Sequence, residues 1–203
     1  MPTDFTQRAR AYFEDTEATI RGLDEAVLAR IYTILSDAYR EDRQVFLMGN
    51  GGSAALASHF AVDMGKGTTH EGRPRFRVFS LVDNTPVMTA YANDFSYADV
   101  FSEQILSLVQ PGDVVFAISG SGNSPNVLKG LAAAKERGAT TVVFTGFEGG
   151  KAAPMADVAV VVPSDDMQHI EDCHLMLMHL YMQALREVVG QAPSSRSAAR
   201  AGS

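Results

Sequence analysis

Two groups of side chains in this sequence have the types and spacing of a centre that moves protons or holds a metal. His59 and Asp63 stand four residues apart in an Ala-rich stretch, so on a helix they share a face. Glu171, Asp172, His174 and His179 crowd the last long stretch of helical periodicity. At roughly 100° per residue, His179 lies about 80° from Glu171 and His174 about 60° on the other side, so both histidines can share a broad face with Glu171. His, carboxylate, carboxylate and His from two helices form a four-ligand set for zinc. The same groups would equally serve as an acid/base pair beside a carbonyl. Both readings stay open on spacing alone.

Two glycine-serine loops supply a different chemistry. The first is Gly49-Asn50-Gly51-Gly52-Ser53 and the second is Ser119-Gly120-Ser121-Gly122-Asn123-Ser124-Pro125. Pro125 suits the first position of a helix and Ser124 its N-cap. Free N–H groups at a helix start, with glycines that let the backbone close in, make an anion cradle. Ser119, Ser121 and Ser124 add hydroxyls to it, so a phosphate would be held without a lysine. Neither loop carries the Gly-Lys-Ser/Thr of a nucleotide-hydrolysing P-loop. Pro125 comes where a dinucleotide fingerprint would go on toward its third glycine, which argues against NAD.

These residues need elements to position them. Helices are predicted over 5–21 and 23–41, then a strand over 44–49 and a helix over 53–66. A strand over 77–82 is followed by helical segments over 86–92 and 97–109. Strands over 113–119, 140–146 and 157–163, a helix over 125–137 and a closing helix over 167–189 complete the pattern. Strands without strict polar alternation, separated by helices, predict an α/β fold. It is a three-layer sandwich with a five-stranded, mostly parallel sheet and an N-terminal helical pair. In such sheets ligands bind beyond the carboxyl ends of the strands, where both loops fall. One domain over 1–190 is expected, with helices 5–41 packed on it or on a neighbouring subunit, and a disordered polar tail over 191–203.

Bulk composition agrees. The 203 residues are 46% hydrophobic and 20% charged, enough for one full core. A net charge of −7 without a Lys/Arg block excludes a nucleic-acid face, and no apolar run has the length of a membrane span. Cys173 is the single cysteine, so no disulfide framework exists and a reducing cytoplasm is expected. Asn93 and Asp94 read locally as turn residues.

Taken together, MGNGGSAALASHF, AYANDF, ISGSGNSPNV, FTGFEGG and the closing Glu-x-x-His-x-x-x-x-His helix resemble the sugar isomerase (SIS) domain. Within that superfamily they resemble the bacterial phosphoheptose isomerases, from near residue 5 to near residue 189. The resemblance implies a homotetramer with sites at subunit interfaces and a zinc ion in each site. It also implies interconversion of sedoheptulose 7-phosphate and D-glycero-D-manno-heptose 7-phosphate through an enediolate. Carried over by position, Asn50, Gly51, Gly52 and Ser53 match the first substrate loop. Asn93 and Asp94 match a sugar-contacting pair, and Ser119, Gly120, Ser121 and Ser124 match the phosphate loop. His59, Asp63, Glu171 and His179 match metal ligands, with Asp63 and His179 as catalytic base and acid/base, and Asp63 and Glu171 also touching substrate. Three positions depart from the family: Asp63 replaces a glutamate, Glu171 a glutamine and Gly67 an arginine. Rival readings are isomerisation of another phosphosugar, a phosphosugar sensor, or a scaffold that binds the bacterial replication initiator.

Overall fold

The computed structural model describes residues 4–192. Three of its helices start on aspartate caps. Asp4 accepts from the Thr6 amide before α1 (Phe5–Arg21), and Asp24 from the Ala26 and Val27 amides before α2 (Glu25–Arg40). Asp166 accepts from the Gln168 amide before the long closing helix, here α8 (Met167–Gln191). Both N-terminal helices pack against α8, and α2 also meets the sheet. Most of the tail expected over 191–203 falls outside the described residues.

Five strands, β1 (Gln44–Gly49), β2 (Arg77–Ser80), β3 (Val114–Ile118), β4 (Thr140–Thr145) and β5 (Val158–Val161), form one sheet in the order β2-β1-β3-β4-β5. All four ladders are parallel. The missing polar alternation has a direct cause, because each strand feeds two cores. Val45, Leu47, Val114, Phe116, Val142 and Phe144 point to the side covered by α2, α3 (Gly52–Val62) and α8. Their neighbours Phe46, Met48, Val115, Ala117 and Val143 point to the side covered by α5 (Ser102–Leu108) and α6 (Pro125–Glu136). Between β2 and α5 lie α4 (Thr85–Asp94) and a short 3₁₀ turn (Tyr97–Asp99). A one-turn helix, α7 (Ala152–Met155), precedes β5 and was not foreseen. No helix of the described residues is long and apolar enough to cross a membrane.

The helix expected to run unbroken from 53 to 66 changes character at its functional end. After Val62 the backbone widens into a π-helical turn, Asp63–Gly67. Gly65 and Gly67 lower the helix propensity here, and single π turns of this kind are frequent at functional sites.

Candidate active site

β1 and β3 are neighbours whose last residues, Gly49 and Ile118, pair in the ladder. The two glycine-serine loops therefore leave the sheet side by side. Gly51 turns at φ +55, and a Cβ on Gly49 would stand 2.7 Å from the Ser53 carbonyl, so the first turn requires glycines. In the second loop Gly122 sits at φ +63, and a Cβ there would stand 2.2 Å from the Gly149 carbonyl. The FEGG turn thus packs directly beneath the serine loop, and the Ala152 amide donates to the Gly122 carbonyl (2.9 Å). Across the loops, Asn50 and Asn126 donate to each other's side-chain oxygens, both at 2.8 Å. Tyr97 adds a hydroxyl to Asn50 Oδ1 at 2.9 Å.

Between the loops lies a small cavity of about 190 Å³, lined by Asn50, Ser53, Ser119, Gly120, Ser121, Ser124 and Glu171, among others. Ser124 occupies the predicted N-cap of α6, yet its hydroxyl makes no capping bond. Among the described residues the hydroxyls of Ser53, Ser119 and Ser124 have no hydrogen-bond partner, nor do the amides of Ser121 and Ser124. A buried pocket of uncommitted donors at a helix start suits a phosphate.

Further along α3 a second set assembles. His59 Nε2 lies 3.1 Å from His179 Nε2, and Asp63 Oδ2 lies 3.4 Å from the first and 3.7 Å from the second. Asp63 Oδ2 is buried and accepts no hydrogen bond, while both imidazoles are about half exposed. Two ring nitrogens and a buried carboxylate oxygen, all within 4.8 Å of one another, fit one cation of the kind that takes nitrogen and oxygen donors.

The structure brings three of the four predicted ligands together and sets Glu171 elsewhere. Glu171 precedes His179 by more than two helical turns and lines the serine pocket. A Cβ on Gly52 would stand 3.0 Å from Glu171 Oε1, so the carboxylate rests against the first residue of α3, at the positive end of that helix. Asn93 and Asp94 close α4 rather than forming a turn; Asn93 donates to Asp94 (2.8 Å), and neither lines the serine pocket. His174 does not share the face of His179. It is fully buried against Phe144 and donates through Nε2 to the Thr145 carbonyl (3.1 Å), and burial pulls its pKa down to about 4. The Cys173 thiol is pushed up to about 11, chiefly by burial, and is no nucleophile at neutral pH. Asn126 was missed by the sequence reading, although an Asn directly after a proline at a helix start was there to be seen.

A SIS-domain family model matches residues 4–146. The chain is 40% identical over 156 residues to phosphoheptose isomerase of Aquifex aeolicus, covering 77% of this chain and 81% of that one. The chain belongs to the phosphoheptose isomerase family. A second member, from Sulfurimonas denitrificans, is 41% identical over 153 residues, covering 75% and 78%. The solved phosphoheptose isomerase of Neisseria gonorrhoeae superposes with a TM-score of 0.83 at 30% identity, covering 91% of this chain and all of that one. The five-stranded parallel sheet with helices on both faces is therefore the family's fold.

Proposed function

We propose that this chain is an aldose–ketose isomerase that interconverts sedoheptulose 7-phosphate and D-glycero-D-manno-heptose 7-phosphate. The observation that carries the reading is a pocket of uncommitted serine donors beyond the paired ends of β1 and β3, followed along α3 and α8 by the His59–Asp63–His179 cluster. Its family membership and its match to phosphoheptose isomerases support the same substrate. A scaffold would have no use for the cluster.

In this reading Asn50, Gly51, Gly52 and Ser53, with Ser119, Gly120, Ser121 and Ser124, hold the phosphate and the adjoining sugar oxygens. Glu171 accepts from a sugar hydroxyl, and Asn93 and Asp94 contact the sugar from α4. Asp63 removes the proton from C1 of the open ketose, and the C–H electrons become the C1–C2 double bond of an enediolate. His179 carries a proton between the two oxygens. Return of the proton to C2 leaves the carbonyl at C1. His59, Asp63 and His179 would hold a zinc ion, which when bound supplies Lewis-acid polarisation of the carbonyl. Like its family, the protein would assemble as a homotetramer, and the exposed Phe5, Phe13, Phe79, Phe95 and Leu180 supply apolar surface for that. A free, buried Cys173 suits a cytoplasmic protein.

The test is turnover of sedoheptulose 7-phosphate by the purified protein, as isolated, after chelation and after zinc is restored. Aldose formation that chelation abolishes and zinc restores supports the reading. A folded protein that leaves the ketose unchanged under all three conditions contradicts it.

A further inference from the structure

The two helices carry their functional groups in the same order. Ser53 and Glu171 come first, at the serine pocket, and His59, Asp63 and His179 follow at the cluster. The π turn and the second half of α8 then open onto a separate, larger cavity of about 570 Å³. Along α3, Ser53 and Asp63 are separated by about 15 Å of helix axis, and Lys66 lies roughly one turn further on. A sugar phosphate seated in the serine pocket therefore reaches toward the cluster with its opposite end, and the third cavity lies beyond that end.

This cavity is basic. Lys66, Arg75 and Arg186 line it with Thr69, and Asp63 is its only acid, shared with the cluster. Among the described residues the side chains of Lys66 and Arg186 have no hydrogen bond or ion pair. Arg75 Nη1 donates to Thr69 Oγ1, which holds that guanidinium at the wall. The wall itself is tied down, since Thr68 Oγ1 donates to the Met64 carbonyl (2.6 Å) and His70 Nε2 to the Arg186 carbonyl (3.1 Å). Gly67 keeps the floor open: a Cβ there would stand 3.3 Å from Met182 Cγ and 3.9 Å from Asp63 Oδ1. In a chain of net charge −7, three cations facing one cavity are a local exception.

We propose that this cavity is a second phosphate subsite. It takes a phosphate carried at the sugar end opposite the one held by the serines, or free inorganic phosphate in the same place. The naming of the sugar rests on the isomerase reading; the subsite itself rests on the cavity.

Calorimetric titration of the full chain tests it, with inorganic phosphate, sedoheptulose 7-phosphate and sedoheptulose 1,7-bisphosphate as ligands. The bisphosphate is expected to bind at least about tenfold tighter than the monophosphate, the yield of one or two charge-assisted hydrogen bonds. A Lys66→Met/Arg186→Gln double variant should close that gap to within about twofold and leave monophosphate binding and turnover unchanged, with the single variants intermediate. Two equivalents of inorganic phosphate on the parent and one on the double variant would assign the subsite to the free ion as well. One equivalent on both, with the bisphosphate gap present in the parent and closed in the double variant, assigns it to the sugar-borne group. Equal affinity for the two sugars together with one equivalent of phosphate overturns the proposal, as does a gap that the double variant preserves. Absence of monophosphate turnover would count against the isomerase reading alone, because the phosphate stoichiometry still reports on the cavity.

Discussion

The serine pocket lies between two loops at the strand ends, the His59–Asp63–His179 cluster lies further along α3 and α8, and the two are built in opposite ways. The pocket is a product of backbone: paired strand ends, two positive-φ glycines, a reciprocal Asn50–Asn126 bond and a glycine turn packed beneath it. Its serine donors are largely buried and aimed, and no long side chain has to be immobilised to create them. The cluster is a product of side chains from α3, its π turn and α8, the imidazoles half exposed, with a buried carboxylate oxygen that accepts no hydrogen bond among the described residues. The contrast teaches a division of labour. Recognition is fixed by the fold, whereas chemistry depends on groups left unsatisfied until a ligand or ion arrives.

That division can be broken experimentally. The largest effect is expected from His179→Ala: kcat should fall by about 10²–10⁴-fold, the range of a lost acid/base, with KM within a few-fold because the pocket is intact. A comparable loss in KM would show that the two regions are not separable. His174, a buried histidine of α8, provides a control. His174 is held neutral in the fold, with a pKa near 4 against 6.5 when exposed, so the unfolded chain takes up its proton first as pH falls. Stability should be full above pH 6.5 and decline toward pH 4 by about 3 kcal/mol, and His174→Gln should flatten that slope in thermal melts.

Two smaller effects sharpen the comparison from the pocket side. Gly122→Ala forces an L residue into φ +63 against the Gly149 carbonyl, which should destabilise the protein by about 1–3 kcal/mol and raise KM more than it lowers kcat. Glu171→Gln removes a carboxylate from the positive end of α3. Substrate KM should fall by about two- to five-fold, the range of a helix-terminus charge effect, with bound metal unchanged. Loss of metal in that variant would return Glu171 to the ligand set.

The pocket was legible in the sequence because it is local. In each loop a strand end, a glycine turn and a helix start fall within about ten residues of one another, and each has its own signature. The cluster was legible only as two separate helix faces; that they meet depends on α3 and α8 packing across 120 residues of intervening chain. Helical-wheel angles placed His174 and Glu171 with His179 because an angle ignores the distance along the axis and the sheet on one side. Burial against Phe144 claimed His174, and the α3 N-terminus claimed Glu171. The π turn was invisible because two glycines permit it without demanding it.

The central claim is that Asp63 and His179 move a proton between C1 and C2 of a sugar held by the serine loop. Turnover in D₂O, with the aldose product read by NMR or mass spectrometry, tests it most directly. Deuterium is expected at C2 of the aldose from the parent protein wherever the Asp63 carboxyl exchanges with solvent before delivery, with exchange and turnover lost together in Asp63→Asn. Full turnover or undiminished exchange in Asp63→Asn would contradict it.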